Sequence, residues 1–272
     1  MMNEAIHNLR SPRTNSGFSL VELMVAMLLG SIVVLAVTQL FITNQRTFQL
    51  QRGLTDVQEQ GRFAIDYISR DVRRVGLRQF GAIPGPAPGV VRDAAITVNG
   101  VNFPPSTEGG NGLTDNDRLT FTFQGLAGME DCEGDALSNA AAPALVANTY
   151  WVNNAGQLMC RGSVNAGSGG IVIVDGVDSF QVLYGVDTEL DGVPFASRYV
   201  RADELGANEV VTIRVGMLLR ATQEQLPELA DPINYIVLDK ELESGQAPLD
   251  TRAVRRLFVT TVRARNFRWE SI

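Results

Sequence analysis

The feature that most constrains this chain is an apolar run from Phe18 to Phe41, FSLVELMVAMLLGSIVVLAVTQLF, in which Glu22 is the sole charged residue. A helix of about two dozen residues rises about 36 Å, enough to cross the hydrocarbon core of a bilayer. The run therefore predicts a transmembrane helix. A carboxylate inside such a segment costs about 2–3 kcal/mol near the bilayer centre, so Glu22 is expected to need a positively charged partner.

The residues before the run are polar, contain Arg10 and Arg13, and end at Gly17. The positive-inside rule predicts that this end stays in the cytoplasm and that the rest of the chain is exported. A secretory signal peptide would have a shorter apolar core followed by a small-residue cleavage site, which only residues 36–38 faintly resemble. On these grounds alone, an uncleaved signal anchor is the simplest interpretation.

The local motif from Ser16 to Leu23, SGFSLVEL, resembles the junction of type IV prepilins and type II secretion pseudopilins. In that family a short basic leader ends in Gly, and Phe then begins an apolar helix whose fifth residue is Glu. The resemblance implies that a prepilin peptidase cuts between Gly17 and Phe18 and that the new amine of Phe18 is N-methylated. It also implies that Glu22 pairs with the Phe18 amine of a neighbouring subunit during filament assembly. A plain signal anchor is the alternative.

The helix is expected to continue beyond the apolar run, from Gln45 to about Phe80, as an amphipathic segment. Its apolar residues are spaced three, four or seven apart: Leu50, Leu54, Val57, Ala64, Ile65, Ile68, Val72 and Val75. Its other face is a solvated flank of charged residues: Arg46, Arg52, Glu59, Arg62, Asp66, Arg70, Arg73 and Arg74. Glycines within the segment weaken a helix and are expected to mark bends at Gly53, Gly61 and Gly76.

Prolines and glycines in residues 81–89 are expected to end the helix, and the sequence after residue 89 is typical of strands. The predicted strands are Ala94–Val101, Arg118–Phe123, Tyr150–Val152, Gln157–Cys160, Ile171–Val174, Ser179–Tyr184, Val210–Leu219, Tyr235–Leu238 and Leu257–Ala264. One long helix succeeded by many strands predicts a pilin-like α+β fold, with the helix packed on an antiparallel sheet. The predicted divisions are a leader at 1–17, the helix at 18–80 with its transmembrane part at 18–41, and a β-rich head at 81–272.

Two strand patterns are specific enough to predict which side chains are buried. The segment Arg118–Phe123 alternates between apolar and polar residues, which predicts one buried and one solvated face. Alternate residues of the segment Val210–Leu219 are predicted to form a row facing the core: Val211, Ile213, Val215, Met217 and Leu219. The intervals Glu108–Asn116, Glu130–Ala147 and Ala166–Gly170 are polar or rich in small residues and are predicted to be long loops.

The positions of the histidine and the two cysteines limit which catalytic, metal and disulfide sites the chain can contain. The single histidine, His7, lies in the predicted leader, so a mature chain would lack imidazole, and serine triads and His-ligated zinc sites are excluded. Cys132 and Cys160 lie on the exported side and are predicted to form a disulfide in an oxidising compartment, with two free buried thiols as the alternative. By resemblance to pilins, the disulfide-bounded region is a candidate surface for partner contacts. The alternative is that the disulfide closes a surface loop that has no role in partner contacts.

The net charge argues against a nucleic-acid site, and the acidic segment after residue 186 does not fit an EF-hand. A net charge of −7 argues against a nucleic-acid binder, and the scattered C-terminal arginines are expected to pair with the chain's own acids. The segment 187–192 resembles the first half of a calcium loop, but Arg198 stands where an EF-hand requires Glu. A solvated hairpin turn is favoured, and no cofactor is expected. An irregular calcium site at Asp187, Glu189 and Asp191 is the alternative.

Three later segments resemble the PilW group of minor pilins and, more distantly, the minor pseudopilin J of type II secretion. They are Phe180–Asp187, Glu209–Arg220 and Arg255–Asn266. The resemblance implies a non-enzymatic minor pilin with a single inner-membrane span and a periplasmic head, later incorporated into the pilus. Its implied partners are the major pilin, other minor pilins, the prepilin peptidase and the inner-membrane assembly platform, with a role in a tip complex that initiates pili for motility and adhesion. The alternatives are a type II secretion pseudopilin, a DNA-uptake pilin and an anchored periplasmic enzyme using carboxylate chemistry.

Overall fold

The computed structural model describes residues 17–79, 88–110, 115–138, 143–165, 167, 169–189, 193–225, 233–243 and 252–264. It divides into two compact units, Met1–Phe48 and Gln49–Ile272. The described residues form one α-helix, a one-turn 3-10 helix at Ala202–Glu204 and twelve strands. The helix is α1 (Leu20–Val72), and the strands are β1 (Ile96–Val98), β2 (Val101–Phe103), β3 (Leu119–Gly125), β4 (Ala144–Val152), β5 (Leu158–Gly162), β6 (Ile171–Val174), β7 (Val177–Asp187), β8 (Arg198–Val200), β9 (Glu209–Gln225), β10 (Asn234–Val237), β11 (Lys240–Glu243) and β12 (Ala253–Arg263).

In the first unit, α1 exposes apolar side chains around its whole circumference. It is long and apolar enough to cross a membrane, and none of its most apolar stretch is buried by the protein. Its hydroxyl groups bond to carbonyls of the preceding turn: Ser31 donates to Leu28 at 2.8 Å and Thr38 donates to Val34 at 2.8 Å. Because these donors are satisfied within the helix, they do not oppose its transfer into an apolar solvent.

In the second unit, α1 is amphipathic as predicted. Val57, Ala64, Ile68 and Val72 are all buried and belong to the main hydrophobic core. The stripe matches the three- and four-residue spacing that places side chains on one helix face.

The helix ends at Val72, before the predicted end near Phe80, which lies outside the described residues. Two tighter turns come next, in which Arg74 N–H donates to the Asp71 carbonyl at 2.9 Å and Val75 N–H donates to the Val72 carbonyl at 3.0 Å. Gly76 then adopts φ 73°, a left-handed conformation that glycine tolerates and that commonly ends helices. Its N–H bonds to the Thr122 carbonyl of β3 at 3.1 Å, so the chain leaves the helix to run along a strand.

The strands form two four-stranded antiparallel sheets, which confirms the α+β fold. Sheet I has the order β12-β9-β7-β8 and sheet II has the order β3-β4-β5-β6. Two hairpins, β1-β2 and β10-β11, complete the described strands. The predicted core-facing row of β9 is confirmed for Ile213, Val215, Met217 and Leu219, which belong to the main hydrophobic core. Val211 is 1% exposed but lies outside that core, because the register shifts between Thr212 and Val210, and Val210 joins the core instead.

The hairpin β1-β2 corrects the prediction of a single strand at Ala94–Val101. Asn99 and Gly100 have φ values of 51° and 79°, so the chain turns there, and Val98 pairs with Val101. An Asn-Gly pair with positive φ at both residues is typical of a two-residue hairpin turn. Strands β8 and β11 were also not predicted, and β4 begins at Ala144, inside an interval predicted to be a loop.

The prediction of a solvated face on β3 is wrong, because all seven of its residues are buried. The polar groups of this strand form hydrogen bonds within the protein. The Thr120 hydroxyl lies 2.7 Å from that of Thr149 on β4, and the Ser106 hydroxyl donates to the Thr120 carbonyl at 2.9 Å. Polar alternation on this strand therefore reflects satisfied internal hydrogen bonds rather than exposure.

Gly61 allows α1 to approach β12 closely. A Cβ atom at this position would overlap the ring of Phe258. Gly61 is therefore a packing glycine rather than the predicted bend site, and Gly76 serves to end the helix.

We expect Gly61→Ala to destabilise the fold by about 1–3 kcal/mol, because the overlap outweighs the gain of about 1 kcal/mol in helix propensity. Urea unfolding of the full chain in detergent measures the effect. Adding Phe258→Leu should recover part of the loss, and Gln58→Ala on the exposed face is the control. A Gly61→Ala variant more stable than the parent would contradict this packing.

Candidate functional site

The predicted processing and assembly residues lie at the start of α1. Gly17, Phe18 and Ser19 precede the helix, and Leu23 N–H donates to the Ser19 carbonyl at 3.1 Å. Glu22 lies in the first turn, where the helix dipole favours a negative charge. Phe18 is 85% exposed. These residues are accessible, while their roles in cleavage, methylation and charge pairing stay predictions.

The last turn of α1 carries a buried polar cluster that the sequence did not reveal. This Asp71 cluster consists of Asp71, Arg74, Asn148 and Tyr150. Asp71 is 4% exposed, and its Oδ2 accepts hydrogen bonds from Asn148 Nδ2 and from the Tyr150 hydroxyl, both at 2.7 Å. Its Oδ1 pairs with the Arg74 guanidinium. Three donors thus compensate a carboxylate that has been removed from water.

Tyr150 stays a hydrogen-bond donor in this cluster, because burial and the neighbouring Asp71 charge raise the pKa of its hydroxyl well above the usual value. The guanidinium of Arg74 also lies 4.5 Å from the centre of the Phe123 ring, a cation–π distance. The cluster therefore holds the helix end against β3 and β4.

The same helix end contacts the hairpin that contains Cys132. The Tyr67 hydroxyl donates to the Cys132 carbonyl at 2.5 Å, and the Cys132 N–H donates to Asn148 Oδ1 at 3.2 Å. Arg74 also donates to the Glu130 carbonyl at 2.5 Å. The Asp71 cluster and the cysteine hairpin thus form one hydrogen-bonded junction between α1 and sheet II.

A disulfide joins Cys132 to Cys160 on β5, with a Cα–Cα distance of 6.2 Å, as predicted. The described part of the predicted loop Glu130–Ala147 is more ordered than expected. Leu137 N–H donates to the Met129 carbonyl at 2.9 Å and Gly128 N–H donates to the Leu137 carbonyl at 3.0 Å, closing a tight hairpin. Residues 139–142 lie outside the described part.

Asp131 organises the interior of this hairpin. It is 4% exposed, its Oδ1 accepts from the N–H groups of Glu133 and Asp135, and its Oδ2 accepts from Val164 N–H at 2.9 Å. Burial raises the pKa of Asp131, and these backbone donors oppose the rise. Carboxylate oxygens of Asp131, Glu133 and Asp135 lie within 4.8 Å of one another. Both Asp131 oxygens already accept backbone hydrogen bonds, so we assign this group to the hairpin fold.

The connection between β7 and β8 contains the segment for which a hairpin turn was favoured and an irregular calcium site was the alternative. Asp187 Oδ1 accepts from Glu189 N–H at 3.0 Å, and Oδ2 accepts from Phe195 N–H at 3.4 Å. The carboxylate therefore caps this connection. Asp191 lies outside the described residues, and the calcium alternative is not tested here.

A second acidic group lies where the segment before β3 meets the β10-β11 turn. Asp117 is buried and accepts from the N–H groups of Gly109 and Val182, both at 2.7 Å. Burial raises the pKa of Asp117 to about 6, despite these hydrogen bonds. Burial and the Asp117 charge raise the pKa of Glu108 to about 7. Lys240 reaches the Asp115 carbonyl from the turn.

Two family models match the chain. Residues 12–38 match the prokaryotic N-terminal methylation motif, which covers Gly17, Phe18 and Glu22. Residues 147–266 match the model of the type IV pilus-assembly protein W, PilW, which covers β12 and most of β4 and the strands between them. A comparison with curated protein sequences gives no match.

Among solved structures, the chain is similar to a type IV-like pilin from Thermus thermophilus. The sequence identity is 15%, the TM-score is 0.43, and the match covers 78% of this chain and 97% of the other.

The Asp71 cluster yields a stability prediction. Asp71→Ala should cost about 3–5 kcal/mol, because it leaves Arg74, Asn148 and Tyr150 without their shared acceptor. Asp71→Asn keeps an acceptor oxygen and should cost less. The control is Asp66→Ala, which removes an exposed ion pair with Arg70 and should change the free energy of unfolding by less than about 1 kcal/mol. Equal losses for Asp71→Ala and Asp66→Ala in urea unfolding would refute the role of the cluster.

The pKa values of Glu108 and Asp117 predict a pH dependence. Both are higher in the folded chain than the ordinary values of 4.5 and 3.8, so protonation favours folding. Their contribution to stability is fully present below those ordinary values and is lost as pH rises through about 6 and about 7. The free energy of unfolding should therefore increase from about pH 8 to about pH 5.

Glu108→Gln should flatten this dependence, and Glu59→Gln, an exposed acid on α1, should not. Urea titrations at several pH values measure both. A parent chain whose stability rises steadily from about pH 5 to about pH 8 would contradict the assignment.

Proposed function

We propose that this chain is a minor pilin of the PilW group of type IV pili, and that it initiates pilus assembly as part of a tip complex with other minor pilins. The observation that carries the proposal is the coincidence of the methylation motif with an apolar helix that the protein leaves exposed. Such a helix is compatible with membrane anchoring. We further propose a single inner-membrane span with the second unit in the periplasm, and later incorporation into the pilus.

The first step of the proposed mechanism is processing by the prepilin peptidase. Apart from its chain neighbours, no described residue has an atom within 4 Å of where a Cβ of Gly17 would lie, and Phe18 is highly exposed. We propose that the peptide bond between them is accessible to the peptidase. Cleavage creates an amine at Phe18, which is then methylated. After cleavage, the positively charged amine of Phe18 is the new N-terminus of the chain, and residues 1–17 are removed.

The second step is assembly through Glu22. An unpaired carboxylate within a bilayer costs about 2–3 kcal/mol, so a neighbouring amine that pairs with it favours docking of one subunit onto another. The partners in this step are the major pilin, the other minor pilins and the inner-membrane assembly platform.

The third step takes place within the second unit. The Asp71 cluster and the disulfide hairpin hold the last turns of α1 against sheet II, so this part of the helix and sheet II enter the assembly together. The model that matches residues 147–266 is that of a pilus-assembly protein, and we propose that this chain acts by assembly rather than by catalysis, without a cofactor.

The proposed pairing predicts the phenotype of Glu22→Val. Processing at Gly17 should continue, whereas incorporation into pili should fall by about tenfold or more, because the docking amine loses its counter-charge. Immunoblots of sheared pili and of membranes measure both quantities. Glu22→Asp keeps the carboxylate and is the control. Normal incorporation of Glu22→Val would refute the pairing.

The system in which the chain works is tested by an in-frame deletion scored for surface pili and for secreted exoproteins in one culture. We expect loss of pili and of twitching motility with normal secretion, restored by the wild-type gene. Normal pili with trapped exoproteins would instead identify a pseudopilin of type II secretion.

A further inference from the structure

The face of sheet I that points away from the main core is covered over only part of its length by described residues. The β10-β11 hairpin packs on one part, where Leu218 of β9 forms a small core with Val237 and Leu242. Thr212 and Arg214 lie on the same face nearer the start of β9 and are half-buried. This second part of the face presents polar side chains instead of an apolar core.

Two arginines on this part of the sheet are diagonal neighbours. Arg214 of β9 is paired with Thr261 of β12, and Arg263 of β12 is paired with Thr212 of β9. Diagonal neighbours on paired strands lie about 7–8 Å apart, which is within the reach of long side chains. The two guanidinium groups can therefore contact the same bound group.

Arg214 is held in place by its neighbours. Its Nε donates to the Thr261 hydroxyl at 3.1 Å, and its guanidinium lies 4.1 Å from the centre of the Tyr199 ring on β8. The Tyr199 hydroxyl in turn accepts from the Thr212 hydroxyl at 3.3 Å. Because the guanidinium is already ordered, little conformational entropy is lost when it binds a ligand.

Neither arginine has an acidic partner in the part of the chain that the structure describes. No described Asp or Glu oxygen lies within 4.0 Å of the Arg214 or Arg263 guanidinium. Arg263 donates instead to the neutral carbonyl of Pro194 at 3.3 Å. Two like charges repel each other, and an anion bound between them removes the repulsion. The planar guanidinium fork is suited to a carboxylate.

The rim of this surface is apolar. Phe195 is 70% exposed and lies in the connection between β7 and β8. The bond from Arg263 to the Pro194 carbonyl places this connection beside the arginines, and Asp187 holds the Phe195 N–H at 3.4 Å. An exposed aromatic ring next to a guanidinium offers an apolar face to the C–H groups of a sugar ring. The Thr261 hydroxyl accepts from Arg214, so its proton is available to a ligand oxygen.

We propose that this surface, called the arginine face and formed by Tyr199, Thr212, Arg214, Thr261 and Arg263 with Phe195 at its rim, binds a sugar that carries a carboxylate. Arg214 and Arg263 hold the carboxylate, Thr261 donates to a sugar oxygen, and the Phe195 ring covers the sugar ring. The proposal goes beyond pilus assembly and does not depend on it.

Two other anionic ligands fit the arginine face less well. A nucleic acid would place many phosphates along a chain with a net charge of −7, whereas this surface supplies two cations. An extended acidic peptide would usually add to a free strand edge. Strands β7 and β9, which carry the centre of the face, are interior strands of sheet I with a neighbour on each side.

Saturation-transfer NMR of the sugar tests the proposal, with the full chain in deuterated detergent micelles. The probe is trigalacturonate, and the matched control is a neutral trimer of galactose. Trigalacturonate should bind with a dissociation constant of about 1 mM or lower, and the neutral trimer at least about tenfold more weakly. Added salt should weaken the binding of trigalacturonate, because it screens the two arginines.

Variants locate the binding site. Arg214→Gln and Arg263→Gln should each raise the dissociation constant about tenfold, as expected for loss of a hydrogen bond to a charged group. The control is Arg256→Gln, which removes an exposed arginine of β12 that is paired with Leu219 and therefore lies on the opposite face. Phe195→Ala should lower the saturation of the sugar-ring protons. Circular dichroism of each variant shows that the fold is retained.

Four results would overturn the proposal. They are no saturation of trigalacturonate by the parent chain, equal binding of the neutral trimer, an equal loss of affinity in Arg256→Gln, and tighter binding of triglutamate or of a short single-stranded DNA than of trigalacturonate. The assay needs no pili, so its failure leaves the proposed pilin function standing.

Discussion

Helix α1 is continuous in its backbone hydrogen bonding, but its side chains have different surroundings in the two units. In the first unit its apolar side chains are exposed around the whole circumference. In the second unit Val57, Ala64, Ile68 and Val72 form one face of the main core, and Gly61 lets β12 approach. The core of the second unit is incomplete without these residues.

Polar contacts specify where the helix ends relative to the sheets. An apolar stripe that repeats every three or four residues could pack after a shift of one turn, because similar side chains would meet. The three donors that converge on Asp71 are available in one arrangement only. Buried ionic groups add little net stability compared with apolar packing, and here they select one alignment. The disulfide reinforces this choice by fixing the hairpin whose Cys132 backbone bonds to Tyr67 and Asn148.

Sequence patterns predicted the elements that depend only on the spacing of neighbouring residues. The apolar run, the amphipathic stripe and the β9 row result from spacing alone. The buried role of Asp71 was not predicted, because a single acid shows no periodic pattern. Its position beside the buried residues Ile68 and Val72 is nevertheless a signal from which a buried carboxylate could have been predicted. The polar residues of β3 were assigned to solvent because their partners, Ser106 and Thr149, are distant in sequence. The Asn99-Gly100 turn was available in the sequence and was overlooked within an apolar segment.

We infer that this chain is a pilin subunit whose mature form begins at Phe18, two residues before α1. The most direct measurement is mass spectrometry of the protein purified from membranes, with sequencing of its N-terminal peptide. The predicted result is an N-terminus at Phe18 that carries one N-methyl group, with the chain otherwise intact and its two cysteines joined. A protein that retains residues 1–17, or one cut behind the apolar run near residue 38, would contradict the claim.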